Sequence, residues 1–339
     1  MQQGQGAGRP ARREPETVTR IVYASRSRIK GPVYAEMERI RDSAMRHNAP
    51  LGVHTALLHQ CGWFLQWKEG PEEAVLRTME RVRADGRHHD LRIVHSSSGP
   101  RLLAGPWSMA IVQLGDTTQA MAERVAQLHS ATESGARFSP PAVWRRLSTP
   151  MRHAGAAQQA DADAFQRVLV CASRGEASFA LVRWLAAHHK QEVVHRRFAG
   201  AYDLDVGTDY ADFEEGGRVM RVIAMARKGL LLPLTRAFVP DYSHILLLLS
   251  GETARDLALV RKAAMACAGL AAPPALLALA AEPGAHHGPL ALAQELGLAY
   301  GAAQADVEDP VAVWLAALPL LARWREAANS VPPALRRAV

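Results

Sequence analysis

Apolar positions along this chain recur with two different periods, and the switches between them outline its architecture. Residues 20–25 (Arg-Ile-Val-Tyr-Ala-Ser) form a short β-branched run that reads as a strand, with Ile21 and Tyr23 on one face. Val33, Met37, Ile40 and Ala44 then repeat at helical spacing, and their stripe runs on to His47 and Asn48, aiming Asn48 inward at the helix end. Strands over residues 53–59 and 62–70 follow, joined through Gln60-Cys61-Gly62 as a hairpin. A second amphipathic helix opens at Pro71, with Glu72 and Glu73 suited to its N-terminus and Val75, Met79 and Val82 facing inward. Strands near 91–95 and 107–112 close the unit. The order βαββαββ predicts an α/β sandwich of the ferredoxin-like kind, with helices on one face of a mixed sheet.

One position breaks the apolar pattern. Gln66 lies among bulky neighbours where a core residue is expected; Phe64, Gln66 and Lys68 share one face of its strand, and Trp63, Leu65 and Trp67 the other. A buried amide must find hydrogen-bond partners or cost stability. The backbone can supply them, and so can a bound heterocycle with a matching donor and acceptor edge.

Several separated segments carry a resemblance. They are Tyr23 on the first strand, His47-Asn48-Ala49 at the end of the first helix, the run from Gly62 through Gln66 to Gly70, Asp85-Gly86-Arg87-His88, and Trp107-Ser108-Met109. Occurring in this order over roughly residues 18–115, they resemble the BLUF photosensors, small flavin-binding domains that respond to blue light. The resemblance implies that Tyr23 gives an electron and a proton to photoexcited flavin. It implies that Gln66 rearranges its hydrogen bonds between tyrosine and flavin, and that Asn48 holds the ring edge with His47, Arg87 and His88 near the flavin. Trp107 and Met109 would change their relation to Gln66 when the signal forms. The chain departs from the family pattern at Thr55, which replaces a glycine, and between Arg101 and Trp107, where the spacing is one residue longer.

Met121, Val125 and Leu128 mark a helix over residues 118–129 that caps this sheet, after which Ser139-Pro140-Pro141 and the Ala/Gln-rich stretch 154–164 read as a boundary. From Phe165 the texture changes to short, wholly apolar runs alternating with helices: 167–171, 219–225, 245–249 and 275–280. Continuous apolar runs imply strands buried on both faces, and the rhythm predicts a doubly wound α/β domain. Glu214-Glu215-Gly216-Gly217 predicts a hairpin turn ahead of the second run.

This second order looks like a small GTPase of the Ras-like kind, without its chemistry. A phosphate loop needs Gly-x4-Gly-Lys-Ser/Thr; here Ala172 and Ala177 stand for the glycines, Ser178 for the lysine and Phe179 for the hydroxyl residue. No Asp-x-x-Gly follows Met225, and Ala280-Ala281-Glu282-Pro283 occupies the place of a guanine reader. Thr208 alone falls near a switch-threonine position. An unrelated doubly wound domain is the competing reading, since fold likeness does not carry function.

With 339 residues and 48% hydrophobic composition, the chain can build two cores. A net charge of +7 accompanies no nucleic-acid recognition motif, so a solvated basic surface is expected and nucleic acid is not expected as a partner. Three scattered cysteines (Cys61, Cys171, Cys267) suit a reducing cytoplasm, and neither they nor the paired histidines show zinc-ligand spacing. The longest apolar stretches fall short of the roughly 20 residues needed to cross a bilayer, and no membrane association is expected. Residues 1–17 are Gln/Gly/Arg/Pro-rich with no apolar h-region and read as a disordered lead.

The sequence thus predicts a lead over 1–17, a BLUF sensor over 18–115, capping helices and a linker over 116–164, an output domain over 165–328 and a tail over 329–339. The expected cofactor is FAD, with FMN and riboflavin as alternatives, and no metal is expected. The expected function is cytoplasmic blue-light reception by a non-enzyme that signals to a protein partner, as a homo-oligomer. A flavin-free binding module of the same fold and a light-regulated GTPase are the alternatives.

Overall fold

Two strands, β1 (Thr17–Ser27) and β3 (Trp63–Gly70), pair antiparallel through the middle of the N-terminal half and set Tyr23 opposite Gln66. The structure is a computed structural model that describes residues 16–112, 117–151, 165–200 and 206–329. The expected lead, apart from Glu16 and Thr17, the Ala/Gln-rich stretch and the end of the tail lie outside the described residues.

The other elements of this half are α1 (Val33–His47), β2 (His54–Gln60), α2 (Glu72–Arg83), β4 (His88–Pro100) and β5 (Trp107–Val112), in the expected βαββαββ order. The strands lie in the order β5-β2-β3-β1-β4, with only the β2–β5 pair parallel. Cys61 and Gly62 make the β2–β3 turn, both with positive φ (50° and 75°), as a tight hairpin of the primed type requires. β4 runs for 13 residues, far beyond the five expected. It is the last strand of the sheet, with one side open, so it needs no apolar alternation to pair with β1.

α1 and α2 cover one face, as predicted. The opposite face carries Val22, Ala24, Leu58, Trp63, Leu65 and Trp67, packed under α3 (Thr118–Glu133) through Met121, Val125 and Leu128. Ser139-Pro140-Pro141 does not mark a boundary. Ser139 Oγ accepts from the Ala142 N–H (3.3 Å) and the prolines fill the first turn of α4 (Pro140–Ser148), whose Val143, Trp144 and Leu147 join the same core.

The second half comprises β6 (Gln166–Ala172), α5 (Ala177–His188), β7 (Val194–Gly200), β8 (Val206–Glu215), β9 (Arg218–Met225), α6 (Pro233–Phe238), β10 (His244–Leu248), α7 (Thr253–Cys267), β11 (Ala275–Ala280), α8 (His287–Glu295), β12 (Tyr300–Gln304) and α9 (Pro310–Asn329). Parallel pairing runs through β12-β11-β10-β6-β9, with one core under α5 and α9 and another under α7, which is the doubly wound arrangement expected. β8 returns antiparallel to β9 through Gly216-Gly217, where the hairpin turn was predicted. Among the described residues no helix is long and apolar enough to cross a membrane.

The halves were expected to be joined only by a helix and a linker. Instead β7 pairs antiparallel with β5, from Ser108 opposite Gly200 to Val112 opposite Arg196, and the two sheets become one of 12 strands. Leu232, Leu234 and Ala237, around α6, also enter the core beneath α3 and α4.

The segment leading into β5 is held by one carboxylate. Glu69 is fully buried and accepts from the Leu102 N–H (2.7 Å), the Leu103 N–H (2.8 Å) and Trp67 Nε1 (3.0 Å). Burial raises its pKa despite these donors. Glu69→Ala leaves three donors, two of them buried, without an acceptor and is expected to cost about 2–4 kcal/mol. Urea unfolding checks this; a change below about 0.5 kcal/mol, the scale of an ordinary surface substitution, would contradict it.

Candidate functional site

Side chains on the α1/α2 face of the sheet do not meet the helices everywhere. Between α1 and α2, above β3, lies a cleft with about 700 Å³ of space, part of it open to solvent. Ile40 and Ala44 of α1, Val82 of α2, and Phe64 and Trp107 of the sheet give it apolar walls. Its polar groups are Asn48, Gln66, Lys68, Thr78 and Arg81, with Asp85, Arg87 and His88 at one end. A planar ring with a polar edge matches this division.

Gln66 faces the cleft and is 8% exposed. Tyr23 lies beside it on the neighbouring strand, fully buried, and its Oη has no hydrogen-bond partner among the described residues. Burial, and after it the Asp85 carboxylate, raises the phenol's pKa well above its ordinary value, so Tyr23 holds its proton.

Asn48 caps α1, its backbone N–H bonded to the Ala44 carbonyl (2.8 Å) and its Oδ1 accepting from Arg81 Nη2 (3.0 Å). His47 lines the mouth of the cleft but is exposed, with Nδ1 2.9 Å from the Ser43 carbonyl.

Arg87 reaches the site already paired. Its guanidinium bonds both oxygens of Asp85 and reaches Glu36 Oε1 (3.2 Å). Burial alone would raise the Asp85 carboxyl, but the Arg87 hydrogen bonds hold it below its usual value. His88 packs edge-on to Phe64 at 6.5 Å, and burial lowers its pKa toward the neutral imidazole, opposed by the Asp85 carboxylate and the Val82 carbonyl. Trp107 lines the cleft with Nε1 unpartnered, whereas Met109 sits behind it in a cluster with Met37 and Leu57 and does not reach the cleft.

Sequence reasoning did not single out Lys68 and Arg81 for the site. Lys68 is 2% exposed, and burial, with Arg81 nearby, lowers its pKa to about 7. Its strand parity with Gln66 already aimed it at this cleft. Arg81, like the other arginines of α2, is exposed, and nothing in the spacing sets it apart. Two unpartnered buried atoms (Tyr23 Oη, Trp107 Nε1) and a buried lysine without a carboxylate fit a bound heterocycle with several acceptors.

Known proteins are similar to this chain in sequence. Euglena gracilis photoactivated adenylate cyclase subunit beta is 29% identical over 135 residues, which cover 39% of this chain and 16% of that one. A subunit beta-like protein, FB, of the same organism is 30% identical over 135 residues with the same shares. The chain thus spans about a sixth of the length of the curated relatives it matches. Among solved structures, BlrB, a BLUF protein in its dark state, is 26% identical, with 36% of this chain and 87% of that chain covered at a TM-score of 0.26. Klebsiella pneumoniae BlrP1 in a manganese/cy-diGMP complex is 15% identical, with 92% and 73% covered at a TM-score of 0.28. Residues 18–110 match the family described as BLUF, sensors of blue light using FAD, and this chain therefore carries a BLUF domain, a flavin-binding blue-light sensor, across that span.

Proposed function

We propose that the chain is a blue-light receptor in which hydrogen bonds of Tyr23 and Gln66 record illumination, and in which the second half is a non-catalytic output module acting by protein contact. The observation that carries this reading is the pairing of Tyr23 with Gln66 beside the cleft, with the phenol buried and unpartnered. FAD, when bound, supplies the absorption of blue light. Asn48, Gln66, Lys68 and Arg81 offer its polar edge an amide and cationic frame, with Arg87 and His88 at one end of the cleft and His47 at its mouth. Tyr23 Oη keeps its proton at rest, and the Gln66 amide can turn either its oxygen or its NH2 toward that hydroxyl. Those two orientations are the two states.

Support for a non-catalytic output comes from the turn after β6. Ser173-Arg174-Gly175-Glu176 connect β6 to α5 in four residues, and Ser173 is already engaged within the domain. Arg227 Nη1 donates to the Ser173 carbonyl (2.7 Å), Ser173 Oγ accepts from the Ser250 N–H (2.9 Å), and Glu176 brings a carboxylate to the helix N-terminus. Ser178 is buried, Phe179 packs into the core under α5 and α9, and Thr208 is buried in β8. A degenerate GTPase-like module working in the cytoplasm, as a homo-oligomer with a protein partner, is the reading we carry forward.

Gln66→Leu is expected to keep flavin but lose the light-induced, dark-reversible shift of the flavin spectrum to longer wavelength, because the bridging amide is gone. Asn48→Ala is expected to weaken flavin retention, since a buried acceptor loses its donor. Absorption spectra before and after blue light distinguish the two; a normal red shift in the Gln66 variant removes the assignment of the switch.

GTP with magnesium is expected not to bind at micromolar concentrations, because an anion at this turn would meet Glu176 and find no lysine. Calorimetry showing magnesium-dependent micromolar affinity would restore the light-regulated GTPase.

The route outward is expected to run through β5 into both α3 and β7. Hydrogen exchange of dark and lit protein is expected to differ over residues 103–112, 117–135 and 194–200, and Met109→Ala to reduce the difference with flavin still bound. Identical exchange across these spans in a protein that photocycles would mean that the signal leaves by another surface.

A further inference from the structure

Lys68 stands in the flavin cleft without a counter-ion. It lies on β3 two residues after Gln66 and on the same face, is 2% exposed, and lines the cleft beside Asn48 and Arg81. Among the described residues no carboxylate pairs with its amine and no acceptor bonds it. An ammonium in such a place costs stability unless something it binds repays the burial.

Strand pairing shows what lies around it. The row of directly opposed residues through Lys68 is Trp107, Thr55, Lys68 and Ile21, next to the row Met109, Leu57, Gln66 and Tyr23. Thr55, where the chain departs from the family pattern, is 1% exposed, and its Oγ1 has no hydrogen-bond partner among the described residues. Residues opposed on one face of an antiparallel pair sit about 5 Å apart at Cβ, so this hydroxyl is an acceptor within reach of the lysine chain. The surrounding charges do not neutralise the amine. Arg81 on α2 is a like charge, Asp85 is chelated by Arg87, His47 stands at the mouth and His88 at one end of the cleft, and Tyr23 on β1 keeps its proton.

Burial, with Arg81 nearby, lowers the pKa of the amine to about 7, so without a ligand about half of its charge is gone at neutral pH. An acceptor seated against the amine favours the charged form instead. We propose that Lys68 is a proton-linked ligand of the flavin: when the acceptor edge of the ring seats against it, the amine takes one proton from solvent and the ammonium donates to that edge. The lone pair of Nζ forms the new N–H bond, and no other covalent bond changes. This inference rests on the reading of the cleft as the flavin site.

Titration calorimetry of FAD into the full chain freed of flavin, repeated in buffers of different ionisation enthalpy, counts the protons taken up. Because the pKa is raised on binding, uptake is expected to be small at pH 6, about half a proton at pH 7 and close to one at pH 8, and the affinity for FAD to fall about tenfold from pH 6 to pH 8. Lys68→Met and Lys68→Arg are both expected to bind FAD without this uptake, since methionine takes no proton and arginine is charged throughout. Protons moved by His47, Asp85 or His88 are common to all three chains and drop out of the difference. FAD binding without proton uptake at pH 8, or with the same uptake in either variant, overturns the proposal and leaves the flavin reading intact. A chain that binds no FAD at any of these pH values overturns both.

Discussion

Antiparallel register between β1 and β3 constrains both faces of the sheet at once. A slip of one residue would turn Trp63, Leu65 and Trp67 toward the flavin cleft and Gln66 and Lys68 toward α3 and α4. The three large side chains under α3 and α4 therefore secure the position of the two polar ones. Tyr23 is fixed by the same pairing, since Val22 and Ala24 on either side of it belong to the α3/α4 core. The functional pair is held by the packing of its neighbours on the opposite face.

Polar groups in this region follow one economy. Glu69 is buried because two backbone N–H groups and an indole satisfy it, and in return it shapes the segment that precedes β5. Arg87 reaches the cleft with its charge already met by Asp85 and Glu36, so it contributes shape and donors more than net charge. Lys68 has no such partner, and its lowered pKa expresses the cost of burial. A ligand with acceptor atoms relieves that cost.

How much of this was legible in the sequence depended on periodicity. Alternation in 62–70 gave the faces of β3, the helical stripe gave α1 with Asn48 at its end, and continuous apolar runs gave β6, β9, β10 and β11. β7 was missed because Val194-His195-Arg196-Arg197-Phe198-Ala199-Gly200 is half polar, and β12 because Tyr300-Gly301-Ala302-Ala303-Gln304 is built from small residues. α4 was read as a boundary because two prolines mark both a break and a helix start. Lys68 was readable by its strand parity with Gln66.

β5 belongs to both halves, and its own alternation divides it between them. Trp107 and Met109 face α1 beside the flavin cleft, while Ser108 and Ala110 face the opposite side, where Ser108 Oγ accepts from the Leu234 N–H at the start of α6 (3.2 Å). Its far edge is bonded to β7, on which Arg196 stands opposite Val112. A strand paired on both edges shifts as a unit, because sliding breaks ladder bonds on both sides together. Displacement of Trp107 would thus be felt at α6 and β7 without passing through α3. This connectivity makes the strand, rather than the capping helix, the element through which the two halves of the sheet are joined.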